Sequence, residues 1–208
     1  MKTVGIIQSR LGSTRLPRKA FAVLDELPLI EHVIRRAALI RDIDQLVVAT
    51  TNLREDDPLA ELCGFLRVPV FRGHAQDVLS RYYRCAVAFD ADNIVRITGD
   101  CPLLDPLGSS IVVGKFLAGD RDYVSNTPDA GTDGWDTEVM DFRALRRAYQ
   151  EATDPADREH VTPYLRNHPE IFRVEFLVPK RIPRNAKWSV DTAEDLERVR
   201  AVIEKVAA

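Results

Sequence analysis

The chain has 208 residues, 45% of them hydrophobic and 29% charged, which suits one soluble globular domain with a substantial core. Its 29 basic and 32 acidic side chains leave a net charge of −3, without the broad basic excess of a nucleic-acid or anionic-membrane binder. No apolar run nears the roughly 18 residues of a membrane span, and "MKTVGIIQSR" reaches Gln8 and Arg10 before a signal-peptide core can form.

Thr3–Gln8 is a short apolar run, expected to form a strand buried on both faces. Leu29–Arg41 carries Ile30, Val33, Ile34, Ala37 and Ala38 at helical spacing. Gln45–Thr50 reads as a strand, Pro58–Arg67 as a helix and Val68–Phe71 as a brief strand. Cys63, Cys85 and Cys101 are odd in number and outside CxxC spacing, which favours free thiols in a reducing cytoplasm over disulfides or a zinc site. Asp77–Phe89 is a predicted helix with Asp77 placed to cap it, and Tyr82 and Tyr83 read as packing residues. Asn93–Thr98 is the next strand, and Ser109–Leu117, after Pro106, the next helix.

Further along, the pattern is less regular. Tyr123–Ser125 and Thr137–Met140 read as strands around the turn-rich "NTPDAGTDGW". Phe142–Ala152 and Arg158–Asn167 read as helices, and Phe172–Val178 and Lys187–Val190 as strands. Ala193–Val206 is a final helix with Leu196, Val199, Ile203 and Val206 on one face. This alternation predicts a single α/β domain, Rossmann-like, with a mostly parallel central sheet and helices on both faces. A small lobe is inserted at about residues 120–180.

Ligands of such sheets sit outside the carboxyl ends of the strands, where three polar stretches fall: Ser9–Lys19, Gly99–Asp105 and Asp191–Asp195. The first gathers Arg10, Arg15, Arg18 and Lys19 around Gly12, Ser13 and Thr14, with no acid among them. A glycine-bearing turn offers backbone N–H groups to an anion, and long cations add reach, which suits a polyphosphate. The alternative is a solvated basic loop; neither a Walker A nor a GxGxxG pattern is present. In "RITGDCPLLDP", Asp100 is either a ligand for a hard divalent cation or a turn residue bonding its own backbone. In "WSVDTAEDLERVR", Thr192 and Asp195 resemble a capping box, and Asp191 can cap while still presenting a carboxylate to a metal.

Other polar residues read more plainly. Asp90 and Asp92 match the DxD pattern of metal-dependent glycosyltransferases, but they precede a strand and read as a surface turn. Asp129, Asp133, Asp136 and Glu138 suit either sugar hydroxyls or a solvated hairpin, with Asp136 and Glu138 on one strand face. His160 lacks an HxxxH or HExxH partner and reads as a hydrogen-bonded structural histidine.

In order along the chain, "IIQSRLGSTRLPRK", "GHAQDVLSRYY", "VRITGDCPLLDP", "DGWDTEV" and "WSVDTAEDLERVR" resemble the sugar-acid cytidylyltransferases, which include the CMP-Kdo and CMP-sialate synthetases. Their spore-coat polysaccharide biosynthesis branch is the most similar. The resemblance implies a nucleotide-diphospho-sugar transferase fold and Mg²⁺-dependent transfer of CMP from CTP to a sugar acid, releasing pyrophosphate for surface polysaccharide synthesis. It implies nucleotide binding by Arg10, Ser13, Arg15 and Lys19 beside Gly12, with Arg10, Lys19 and Asp100 catalytic. Asp100 and Asp191 become the metal ligands, and Asn126, Asp136 and Glu138 the acceptor contacts. A cytoplasmic homodimer is also implied, with CTP or another NTP and a sugar-acid acceptor as its small-molecule partners.

Two positions depart from the family pattern: Arg18 replaces a glycine of "RLPGK", and a hairpin that usually carries glycine reads "DELPLIEH". They leave open a nucleotide-binding module with weak or no transferase activity. A glycosyltransferase using a finished nucleotide sugar is the third reading.

Overall fold

The computed structural model describes residues 1–126, 133–177 and 187–207. Asp129, Val178 and the side chain of Val206 lie outside the described residues. The apolar run Thr3–Gln8 forms β1, an interior strand with neighbours on both sides, which accounts for its unbroken hydrophobicity. A short hairpin, β2 (Val23–Leu24) and β3 (Leu27–Pro28), leads into α1 (Leu29–Ala37). Alternation continues through β4 (Gln45–Thr51), α2 (Asp57–Phe65), β5 (Val70–Gly73) and α3 (Val78–Ala88). It then runs through β6 (Asn93–Thr98) and α4 (Pro106–Leu117). The region expected as a lobe adds β7 (Tyr123–Ser125), β8 (Glu138–Asp141), α5 (Phe142–Glu151), α6 (Pro155–His160), α7 (Pro163–Asn167) and β9 (Val174–Phe176), and its three strands extend the central sheet. The last helix is α8 (Ala193–Ala207).

The seven-stranded sheet has the order β5-β4-β1-β6-β8-β7-β9, with β8 alone running against the rest. Gln8 stands opposite Ala49 on one side and Thr98 on the other, so the carboxyl ends of β4, β1 and β6 share one edge. On one face Ile7, Val48, Val95 and Ile97 pack with Val33 of α1, Val113 of α4 and Val199 of α8. On the other, Val4, Ile6, Val47 and Ile94 meet Leu79 and Tyr82 of α3 and Leu145 of α5. Helices therefore cover both faces, and each such side chain contributes about 1.5–3 kcal/mol on burial. The buried Tyr82 hydroxyl lies 3.2 Å from Ile6 O and 3.3 Å from Ile97 O, while Tyr83 stacks on Tyr149 at 4.3 Å. No helix among the described residues is long and apolar enough to cross a membrane.

Several elements differ from the sequence expectation. α1 ends at Ala37 rather than Arg41, because the chain turns through Leu39 and Ile40 to Asp42, which adopts φ 63°. The predicted helix at Arg158–Asn167 is two short ones: Val161 takes φ 74° and ends the first, and the second restarts with Pro163 in its first turn, where a missing N–H costs nothing. Lys187–Val190 makes one parallel bridge, to Asp133, instead of a strand. There Gly134, at φ 103°, runs so close that a Cβ would meet Ser189 N at 2.5 Å, and no ladder extends past it.

The β2–β3 hairpin was too short to leave a periodicity. Its two-residue turn puts Asp25 at φ 44° and Glu26 at φ 66°, the positive pair that a type I′ turn requires and that Asn-Gly adopts most readily. The double variant Asp25→Asn/Glu26→Gly is therefore expected to stabilise the fold by about 1 kcal/mol, raising the melting temperature by roughly 2–4 °C. A thermal melt with an unchanged or lower midpoint would sink this account of the turn.

Candidate active site

The segment after β1 is tethered to its neighbours by backbone bonds. Ser9 N donates to Ala49 O at 3.2 Å, and Leu11 O accepts from Ser13 N at 2.8 Å and Arg18 N at 3.1 Å. Arg18 adopts φ 56° and ψ 29°, the left-handed conformation expected where a glycine would otherwise stand. Its guanidinium lies 5.5 Å from the centroid of the Phe21 ring and does not line the cleft. Arg10 donates to Ala75 O at 3.1 Å along the opposite wall. Gly12 and Ser13 lie on the cleft surface between them.

The second stretch reaches the first through Gly99. Gly99 N donates to Gln8 O at 2.8 Å, and a Cβ there would meet that same oxygen at 2.6 Å, so only glycine allows the approach. Asp100 consequently faces Lys19. The third stretch joins through Val190 N, which donates to Asp100 O at 2.9 Å. The expected capping box is present: Thr192 N donates to Asp195 Oδ2 at 3.1 Å, and Asp195 N to Thr192 Oγ1 at 3.3 Å.

At the meeting point, Lys19 Nζ donates to Asp100 Oδ2 at 2.8 Å, Asp191 Oδ1 at 3.0 Å and Val190 O at 2.9 Å. Arg15 also reaches Asp191 Oδ1, at 2.8 Å. Burial alone would push the Lys19 ammonium down, but the two carboxylates, Asp100 foremost, hold it above its ordinary value. Burial opposes the charge on Asp191 as well, and Lys19 with Arg15 overcomes it, so its carboxyl stays below the usual range. This donor set fits a hard divalent cation: one oxygen from each of two carboxylates converges on a single cationic point, leaving room for water and phosphate oxygens. Among the described residues, no group of three or more His, Cys, Asp or Glu side chains is placed to hold a metal ion, here or elsewhere, so these two carboxylates would need phosphate and water oxygens to complete a shell.

These groups line a cleft of about 340 Å³, floored by Gln8, Arg96 and Thr98. A second cleft of about 330 Å³ shares Arg96, Thr98, Asp100 and Asp191 with it and extends into the lobe toward Asp136 and Arg166. Burial, with the charge of Asp133 adding, pushes the Asp136 carboxyl up to about 6, although Gly134 N donates to it. Glu138 lines this cleft but is buried in an ion pair with Arg96 and accepts from the Tyr123 hydroxyl at 2.6 Å. The Asn126 amide is committed to Trp135 O at 3.0 Å and Thr137 N at 2.7 Å, bracing the strand ends.

His160 corrects the sequence expectation. It is exposed, and it lines both clefts from the carboxyl end of α6 instead of sitting in a structural bond network. Pro163, three residues on, was the available signal of a helix end there. Arg96 was missed too, although an arginine inside the apolar "NIVRIT" asks for a partner, and the register supplies Glu138. Asp92 accepts from Lys2 N at 2.6 Å at the far edge of the sheet, as a turn residue would. All three cysteines are free and buried, and burial pushes Cys63 up to about 11 and Cys85 to about 12, so neither is a thiolate nucleophile.

A family profile described as "Cytidylyltransferase" matches residues 4–206. The chain is 37% identical over 209 residues to the spore coat polysaccharide biosynthesis protein SpsF of Bacillus subtilis, covering 96% of this chain and 85% of that one. It is 30% identical to a 3-deoxy-manno-octulosonate cytidylyltransferase of Chlorobium limicola, covering 95% of this chain and 76% of that one. A solved cytidylyltransferase from Leptospira borgpetersenii superposes with a TM-score of 0.94 at 31% identity, over 99% of this chain and 87% of that one. A CMP:2-keto-3-deoxy-manno-octonic acid synthetase in complex with CTP shares the fold, with a TM-score of 0.76 at 17% identity over 99% of this chain and all of that one. The chain belongs to the cytidylyltransferase family of nucleotidyltransferases.

Proposed function

We propose that the protein transfers CMP from CTP to a sugar acid or related acceptor, with Mg²⁺ and loss of pyrophosphate, as a step in surface polysaccharide synthesis. The observation that carries this reading is the convergence of Asp100 and Asp191 on Lys19, at 2.8 and 3.0 Å, beside a loop of cations and glycine. The names of the relatives from Bacillus and Chlorobium support the product class and the acceptor class.

In the proposed step an acceptor oxygen attacks the α-phosphorus of CTP as the bond to the bridging pyrophosphate oxygen breaks, and the acceptor proton passes to solvent water. Such a displacement needs alignment and neutralised charge more than a protein nucleophile, in keeping with the buried, protonated cysteines. Arg10, Ser13 and Arg15 hold the triphosphate with the amides around Gly12, and Lys19 sits where leaving-group charge grows. Asp100 and Asp191 would hold Mg²⁺, which when bound neutralises phosphate charge. Asp136 accepts an acceptor hydroxyl from the lobe side, with Glu138 and Asn126 fixing the strands that carry it. The lobe at about residues 120–180 is the acceptor and dimerisation side of a cytoplasmic homodimer.

Pyrophosphate release measured with each of four NTPs against a panel of sugar acids is expected to single out CTP with one acceptor class. Asp100→Asn should lower kcat at least about a hundredfold, and full turnover in that variant would remove Asp100 from the metal site. Because Asp136 loses its proton only above about pH 6, kcat/KM should fall as pH drops through 6 and flatten there in Asp136→Asn. An identical acid limb in that variant would exclude Asp136 as the acceptor contact. Arg18→Gly should leave turnover within about threefold, since both residues suit the left-handed backbone; a large gain would mean that Arg18 holds the natural loop in a poorly active shape.

A further inference from the structure

We infer that Asp56 is a positioning residue for the phosphate loop: it fixes the peptide of Leu11, and through Leu11 the backbone shape that a triphosphate meets. The inference rests on reading residues 9–19 as that loop. Asp56 ends a 3-10 turn, Arg54–Asp56, on the connection from β4 to α2, and is completely buried. One carboxylate oxygen accepts the Leu11 N–H at 2.7 Å, and the other accepts the Thr51 hydroxyl. Among the described residues it has no ion pair. Its two hydrogen bonds come from neutral donors and the buried Arg81 guanidinium acts on it only at longer range, so this buried carboxylate is costly to maintain, and an apolar residue would serve packing alone better.

Both sides of Leu11 are occupied. Its N–H is held by Asp56, and its carbonyl accepts from Ser13 N and Arg18 N, which closes residues 11–18 into a ring just before Lys19. Its side chain is buried in the core, so the ring cannot drift as a body. The amides of Gly12, Thr14 and Arg15 lie inside this ring without a backbone partner among the described residues, and they are the donors a phosphate would meet. The same connection also approaches the loop at Gly12, where a Cβ would meet Glu55 Oε1 at 2.6 Å. Asp56 touches no ligand in this arrangement and acts through Leu11.

The test is calorimetric binding of inorganic tripolyphosphate with Mg²⁺ to the full chain, with CTP kinetics and a thermal melt on each variant. Asp56→Ala is expected to weaken tripolyphosphate binding about tenfold or more and to raise the KM for CTP alike, with kcat changed less than about threefold. Asp56→Asn can still accept from Leu11 N and donate to Thr51, so it should bind within about twofold of the parent. Should Asp56→Ala not fold, Thr51→Val frees one oxygen of the intact carboxylate and should lose affinity several-fold. A folded Asp56→Ala or Thr51→Val variant that binds like the parent overturns the inference, as does Asp56→Asn losing as much as Asp56→Ala. If the parent chain binds no tripolyphosphate, the phosphate-loop reading itself falls.

Discussion

One ammonium group joins three parts of the chain that lie far apart in sequence. Lys19 has three N–H donors, and Asp100, Asp191 and the Val190 carbonyl supply three acceptors. Without a cation between them, two carboxylates so placed would repel, and only the backbone bond from Val190 N to Asp100 O would hold the stretch preceding α8 against the end of β6. The site therefore exists only after the sheet has assembled, because β1 supplies the lysine loop and β6 supplies Asp100. Gly99 makes that geometry possible at the level of backbone atoms, since a single methyl group would separate the two strand ends.

Charge is distributed to match. The chain is acidic overall, yet the first cleft is lined by Arg10, Arg15 and Lys19, while the lobe side carries Asp133, Asp136 and Glu138. Between the two lies the buried Arg96–Glu138 pair, tied further to Tyr123. Breaking such a pair by removing one partner typically costs about 3–5 kcal/mol, so it ties β6, β7 and β8 together under both clefts.

The parts legible in the sequence were those with a local cause. Thr3–Gln8 and Asn93–Thr98 declared themselves as apolar runs, and Asp77 as a cap, which it is, accepting from Ser80 N at 2.9 Å. Asp100, Asp191 and the cationic loop were singled out because strand ends collect ligand groups in this architecture, and the fold brings them together. What stayed hidden depends on contacts between distant residues. Asp56 looks like any acid before a helix until its carboxylate is found beneath Leu11. His160 becomes a cleft residue only because Val161 turns the chain at φ 74°. The β2–β3 hairpin is too short for any period to show and was reached only through the family resemblance, and Lys187–Val190 looked like a strand because side-chain pattern carries no record of Gly134 lying across it.

Arg18 shows how a departure in sequence can leave a shape unchanged. The loop closes only if residue 18 is left-handed, because its N–H must reach Leu11 O while its carbonyl accepts from Phe21 N at 2.8 Å. Glycine takes that conformation freely; an L-residue gives up about 1–2 kcal/mol. Two effects offset this. A side chain narrows the unfolded ensemble that glycine would widen, by about 0.4–1 kcal/mol, and the guanidinium resting on Phe21 adds about 0.5–1 kcal/mol at an exposed site. The sum is close to zero, so the backbone does not record the exchange. The side chain does: stacked on Phe21, it takes the fourth cation away from the cleft, which keeps Arg10, Arg15 and Lys19.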